Sequence, residues 1–589
     1  MAMTIKRVRS PHCLLLKGFS EKQYFKILRI FKREAKFHES WNGFMLPCNV
    51  QVIETLQDRF RKIEIHPDLI RDFKAAEREF DETKEIADRI RKIKRMPNQE
   101  IDFYKFKVKP WNNQLIGFRL IINCSGVMLL WDMRTGKTYA FASAFEFLKQ
   151  QGIVKRGLVV CPKDIRINWV QECSDFTDLK CLILGTGTKQ QMVALQRDDQ
   201  ITVVDGPYVR RVPGHADLYI TNTDSLRNQE LVKAFKEFNF DMLCVDEIHL
   251  FKHRTSARTQ GMLELRRWIP RRVGLTGTII TKSPLDAYQQ MKIINNYIFP
   301  EDEDGFGAQY CIFKTIGGHQ IYDRPRRENQ KELWRRINKF SHKVRIEECH
   351  DMPDRLYTTG KVELTKEQKK AHRELCEELA TEIDGQIIEA TILTKTMKMV
   401  QITSGFMYLP DGTRYLFPNN PKLKKLREIL DQVIRKGRKI VVWGFHHETM
   451  DMIRNMLIKE GINYALVSGV DGTMTDRERH EQKYKFQNDD NCSVMVANPT
   501  MLSMGLSLSQ AKYMVFYENR HLLAEREQAE ARNYDNKAKQ LHGGKVVVYD
   551  LLAMSSIDMP VRKCLRERKN FLKFINSKTL RQIAKGLRR

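Results

Sequence analysis

The sequence predicts an α/β protein of two parallel-sheet lobes, with a helical insertion or linker between them and a small α+β domain in front. Three observations carry that expectation. From about residue 100, short β-rich runs (GLVVCP, DLYITNT, DMLCVDE, RRVGLTGT) alternate with helical patterns, and each ends in polar or glycine residues. This is the pattern of a parallel sheet covered by helices. A largely helical stretch then fills about 320–410, after which strands resume with KIVVWGF, YALVSG, CSVMVAN, AKYMVFYE and KVVVYDL. The expected divisions are an N-terminal accessory domain with a helical connector over 1–95, a first lobe over 96–300, the helical segment over 301–420, and a second lobe with a basic helical tail over 421–589.

Taken in order, residues 10–70 read as an apolar strand (CLLLKGF), an amphipathic helix (KQYFKILRIFKREA), a short strand around Trp41 to Leu46 and a second helix. FKAAEREFDETKEIADRIRKIKRM follows as a charged helical connector. In the first lobe, MLLWDMRTGKTYAFASAF holds Gly136-Lys137-Thr138 between a buried-looking run and a helical pattern. The full phosphate-loop pattern GxxxxGK[ST] asks for glycine where Trp131 stands. The remaining chemistry is present: a helix starting near Lys137 aims N–H groups at phosphate oxygens, Lys137 neutralises their charge, and Thr138 offers a hydroxyl to Mg²⁺. Further on, Asp246-Glu247-Ile248-His249 ends a strand of the same lobe. There Asp246 suits Mg²⁺, and Glu247 suits orientation and deprotonation of a water. An isolated GKT or DE is weak evidence; the two together, about 110 residues apart on one alternating pattern, are hard to obtain by chance.

A chain of 589 residues has room for three or four domains. No apolar run approaches the roughly 18 residues of a membrane span, and MAMTIKRVRSPHC lacks a signal-peptide core, so an intracellular protein without membrane contacts is expected, cytoplasmic in a bacterial or phage-infected cell and nuclear in a eukaryote. Twelve scattered cysteines, without a CxxC pair, argue against a disulfide framework or zinc site. The net charge of +28 points to a polyanionic partner, although charge alone does not distinguish DNA from RNA or anionic lipid.

LLWDMRTGKT, DEIHLFKHRTS and GLTGTII, in this order, resemble motifs I, II and III of superfamily-two helicases, most closely the Swi/Snf-type branch. That branch tolerates a non-glycine residue at the position of Trp131. Trp111 and Gln114 in KPWNNQLIGF resemble its adenine-reading motif, and VVCPKDIRINWVQE resembles motif Ia. In the second lobe, KIVVWGFHHETMDMI, MLSMGLSLSQA and EREQAEARNYDNKAK resemble motifs IV, V and VI. The resemblance implies two RecA-like lobes with ATP and Mg²⁺ between them. Arg134, Thr135, Gly136, Lys137 and Thr138 would cradle phosphate, with Asp246, Glu247, Gly505, Gln528 and Arg532 completing the site. It also implies a monomer moving along double-stranded or branched DNA, with Lys163, Thr223, His446 and Thr500 at backbone-contact positions. The compactness of the chain is more like bacterial or phage members of the branch.

The match is imperfect in motif VI, which carries two arginines three residues apart; Arg532 fits, but Asp535 stands in the second position. A carboxylate beside the γ-phosphate would repel it. Three explanations are open: Arg532 suffices, with Lys537 or Lys539 replacing part of the lost charge; the local frame is shifted; or ATP is bound and turned over slowly. The N-terminal segment also resembles the HARP-type domain of annealing helicases, through its strand-helix-strand order and Trp41 with Phe44; a plain α/β cap is the alternative. The expected function is therefore a DNA-dependent ATPase in replication, recombination or repair. A strand-separating helicase and an ATP-gated DNA clamp are the alternatives.

Overall fold

The computed structural model describes residues 82–96 and 101–588, except 186, 300, 317–318, 350–352, 385–388, 469–473, 500–507, 569–570 and 572–574. In front of these it describes 3–7, 13–17, 27, 36–38, 43–47, 55–56, 59–60 and 63–65.

The N-terminal strands form a mixed five-stranded sheet in the order Lys36–His38, Gly43–Pro47, Cys13–Lys17, Met3–Arg7, Ile63–Ile65. The expected strands at CLLLKGF and before Leu46 are both in it, with three more; Trp41 lies outside the described residues. The connector is helical over 82–95. Its Ile86, Ile90 and Ile93 recur at helical spacing and bury themselves in the core of the first lobe. This helix thus packs as part of that lobe.

The first lobe is a seven-stranded sheet in the order Ser341–Val344, Gly126–Trp131, Arg271–Thr276, Met242–Asp246, Gly157–Cys161, Leu218–Asn222, Cys181–Ile183. Every pairing in it is parallel. Its central strands read as unbroken apolar runs because helices cover both faces: GVMLLW and MLCVD are buried at every residue. The second lobe is a six-stranded parallel sheet, Asp354–Val362, Lys545–Ala553, Ala511–Phe516, Lys439–Trp443, Val494–Ala497, Tyr464–Val467.

The segment 301–420, read from sequence as helical, does contain the helices Glu303–Tyr310, Gln330–Lys339, Lys366–Asp384 and Glu389–Ser404. It also gives an edge strand to each sheet, Ser341–Val344 to the first and Asp354–Val362 to the second. Half-exposed edge strands such as DRLYTTGKV lack the apolar signature of the central ones, so their pattern is easily missed. Among the described residues no helix is long and apolar enough to cross a membrane.

Candidate nucleotide site

The first lobe gathers its polar residues at the carboxyl ends of its strands, the edge where open parallel sheets bind ligands. Trp131 explains the altered phosphate-loop pattern. It is the last residue of a strand, paired with Val344 and fully buried, not part of the turn. Its indole lies against Gly117, where an added Cβ would meet it at 2.5 Å, and its Nε1 donates to His342 Nδ1 at 3.1 Å. The turn proper is Asp132 to Gly136. Arg134 and Gly136 both adopt positive φ, +65° and +82°, which brings the chain round into the helix Lys137–Gln150.

Side-chain hydrogen bonds hold this turn. Asn113 Nδ2 donates to the Thr135 carbonyl at 2.8 Å, and the buried Thr135 hydroxyl to the Asp132 carbonyl at 2.8 Å. Gln114 lies close over Gly136, where an added Cβ would fall 1.9 Å from its Nε2, and the positive φ of Gly136 favours glycine there. The Gln114 Oε1 accepts from the Trp111 amide at 2.8 Å, fixing the side chain at the start of its helix. Lys137 Nζ donates to the carbonyls of Trp131 and Asp132 at 2.9 and 3.3 Å.

Asp246 and Glu247 end the strand Met242–Asp246, two strands from the phosphate loop. Asp246 accepts from Trp169 Nε1 at 3.0 Å and from the Glu247 amide at 2.9 Å. Burial, reinforced by the neighbouring Glu247 charge, raises its pKa. Glu247 shares the burial and yet is held below its ordinary value, because a hydrogen bond from His249 and the charges of Lys137 and Arg532 outweigh desolvation. His249 Nδ1 lies 3.0 Å from Glu247 Oε2 and 3.2 Å from Thr276 Oγ1, so it ties the acidic motif to the end of the strand Arg271–Thr276.

A cleft of about 310 Å³ is lined by these groups: Trp111, Gln114, Arg134, Gly136, Lys137, Thr138, Asp246 and Glu247 from the first lobe, with Ala531 and Arg532 from the second. Arg532 is buried, and burial next to Arg134 lowers its pKa to about 9. Sequence reasoning had not singled out Trp169 and Glu172, which also line the cleft although they stand within VVCPKDIRINWVQE. Burial raises the Glu172 pKa to about 7, against a hydrogen bond from Thr138. A tryptophan and a glutamate three apart on one helix face were the available signal.

Asp535, the expected obstacle, is fully partnered. It accepts from Arg134 Nη1 at 3.0 Å, from Ser509 Oγ at 2.5 Å and from the Ala538 amide at 2.7 Å, capping the helix Asn536–His542. Arg134 also donates to the Arg532 carbonyl. Thus the carboxylate is neutralised across the interlobe boundary, and the same guanidinium steadies the backbone that carries Arg532.

The other expected residues do not line the cleft or lie outside the described residues. Gln528, on the helix Leu523–Glu530, is half-buried and does not line the cleft. Lys163 is exposed just past the strand Gly157–Cys161, and Thr223 is buried at the end of Leu218–Asn222. His446 turns its Nδ1 to the buried Glu518, 2.9 Å away. Thr500 and Gly505 lie outside the described residues.

For Mg²⁺, the donors present are the Thr138 hydroxyl and the carboxylates of Asp246, Glu247 and Glu172. No group of three or more His, Cys, Asp or Glu side chains among the described residues is arranged to cage a metal.

The chain is similar to several known proteins. A "Helicase conserved C-terminal domain" matches residues 421–535. A Xenopus laevis SWI/SNF-related matrix-associated actin-dependent regulator of chromatin subfamily A-like protein 1 is 24% identical over 412 residues, 68% of this chain and 38% of that protein. The mouse DNA annealing helicase and endonuclease ZRANB3 is 21% identical over 406 residues, 66% of this chain and 34% of that protein. The chain thus spans less than half the length of these relatives. Among solved structures, the Sulfolobus solfataricus SWI2/SNF2 ATPase core in complex with dsDNA is 21% identical, covering 83% of this chain and 97% of that one, with a TM-score of 0.37. The SNF2-related domain model matches residues 43–408, more than half of the chain, and the protein is a member of the SNF2-related family.

Proposed function

We propose that this chain is a DNA-dependent ATPase that couples ATP hydrolysis to movement along double-stranded or branched DNA. The observation that carries the reading is Arg532, a second-lobe guanidinium buried in a cleft otherwise built by Lys137, Asp246 and Glu247 of the first lobe. A site completed only when two lobes meet links the chemical state of its ligand to their relative position, which is what a motor requires.

In this reading Lys137 neutralises phosphate charge and Thr138 with Asp246 would hold Mg²⁺, which supplies further charge neutralisation on the phosphates. Glu247, kept ionised by His249, orients a water and takes its proton. Arg532 stabilises charge that develops on the transferred phosphoryl oxygens. The Asp535–Arg134 pair keeps the aspartate from opposing it, which favours a working ATPase over a silent clamp. The basic chain supports sequence-tolerant, salt-sensitive DNA binding. A role at forked or annealing DNA, in replication, recombination or repair, rests on the HARP-like resemblance and on the annealing-helicase relative.

The test is ATP hydrolysis with and without duplex DNA for wild type, Lys137→Ala and Arg532→Ala. Duplex-stimulated turnover that is lost in both variants is expected. Absence of turnover in the wild type, with ATP-dependent DNA binding intact, would make the protein a nucleotide-switched clamp. For the N-terminal domain, forked and plain duplexes should be compared as activators after removal of residues 1–81, a cut that spares the connector helix; an unchanged fork preference defeats the HARP-like reading.

A further inference from the structure

A second groove, of about 970 Å³, lies between the connector helix 82–95 and the helix Gln330–Lys339, and none of its lining residues lines the nucleotide cleft. Its walls are basic on both sides. The connector contributes Lys84, Arg91 and Arg95; the facing helix contributes Lys331, Arg335 and Lys339. All six side chains belong to exposed residues. The second set recurs every four residues, which places the charges in one stripe at intervals of roughly 6 Å along the helix axis.

Among the described residues that line the groove Asp88 is the one carboxylate, and it is engaged by Arg91 at 2.9 Å; Glu332 lies 4.0 Å from Arg335. The two walls are held at a set separation. Lys94 Nζ donates to the Asn338 carbonyl at 2.7 Å, and the isoleucines of the connector are anchored in the core of the lobe. Trp334 lines the groove with Lys343 over its ring at 5.2 Å, an apolar surface beside the cationic stripe.

We propose that this groove binds the sugar-phosphate backbone of a nucleic acid, at a site separate from the nucleotide cleft. Like charges on the two walls repel one another, the more so at low salt. A linear polyanion relieves that repulsion along the whole groove and releases counterions as it binds. A concave channel between two helices suits a strand better than it suits a planar lipid surface. The aromatic ring within the cationic stripe is the combination found in sites that hold single strands.

The test uses the full-length chain without ATP, so that its outcome is independent of the motor reading. Binding of fluorescein-labelled single-stranded and duplex DNA is measured by anisotropy across a salt series. The proteins are wild type, the triple variant Lys331→Glu, Arg335→Glu, Lys339→Glu, and a control triple Lys424→Glu, Arg435→Glu, Lys436→Glu on an exposed face of the second lobe. The groove variant is expected to bind roughly ten- to thirtyfold more weakly, with the slope of log K against log salt reduced by about 2 to 3. The control is expected to keep most of its affinity and slope, and basal ATP hydrolysis to match wild type in both variants. A larger loss on single strands than on duplex assigns the groove to single strands; the reverse assigns it to duplex. Unchanged affinity in the groove variant, or an equal loss in the control, overturns the proposal. So does displacement of DNA by polyglutamate at equal charge concentration, which would make the groove a site for acidic protein.

Discussion

The Arg134 guanidinium and the Asp535 carboxylate meet at 3.0 Å across the boundary between the lobes, one from the phosphate loop and the other from the position where a second arginine is expected. Because Asp535 also caps the helix Asn536–His542, Asp535→Arg should not restore a missing finger. It removes a cap worth about 1 kcal/mol and sets a third guanidinium beside Arg134 and Arg532. Turnover is expected to fall. Asp535→Asn keeps the cap and removes the charge, so a double-mutant cycle with Arg134→Ala isolates the pair. A coupling of about 0.5 to 3 kcal/mol in kcat/KM is expected, and strict additivity would show that the contact has no role.

Glu247 owes its ionisation to its surroundings, and His249 is the partner to remove. Glu247→Gln should lower hydrolysis by about 10² to 10⁴ while nucleotide binding survives. In His249→Ala, burial dominates and the Glu247 pKa rises, so the acid limb of the kcat/KM profile should move to higher pH. An acid limb that stays in place would mean that another group sets it.

Lys422 and Asp558 form a 2.6 Å ion pair that is almost fully buried in the second lobe, with Thr403 Oγ1 and the Ala553 amide, each at 2.9 Å, also donating to Asp558. Asp558→Ala strands a buried ammonium and should cost about 3 to 5 kcal/mol, read as a lowered unfolding midpoint of that lobe. Lys422→Met added to it should recover part of the loss. Failure to recover any would indicate that the carboxylate matters through its other hydrogen bonds.

The buried Glu518 accepts from Ser404, Thr449, two amides and His446. Burial would raise its pKa, but the His446 charge and these bonds hold it at about 2; the Glu518 charge in turn raises His446 against its own burial. The depressed carboxylate contributes stability above about pH 4.3 that is lost as pH falls toward 2. The raised imidazole contributes stability that is complete below about pH 6.5 and lost as pH rises through its folded value. Thermal midpoints should therefore decline on the alkaline side, and His446→Gln should lower the midpoint and flatten that decline. An equal decline in the variant would place its origin elsewhere.

The sequence by itself determined the two alternating lobes and the groups at their strand ends. Unbroken apolar runs can be satisfied only by sheets buried on both faces, and GKT and DEIH are local patterns whose geometry follows from a strand-to-helix turn. Lys137, Thr138, Asp246 and Glu247 were legible for that reason. The tertiary structure alone decided what depends on distant partners. Trp131 is a strand residue because it packs on Gly117 and pairs with an edge strand more than 200 residues away. Asp535 is paired because Arg134, 401 residues earlier, reaches it across the fold. His446 faces Glu518, and the basic groove exists because two helices far apart in the chain face each other. Local spacing encodes which face of an element is apolar; it carries no record of which charge will meet which across a folded interior, and that pairing sets the electrostatics of the site.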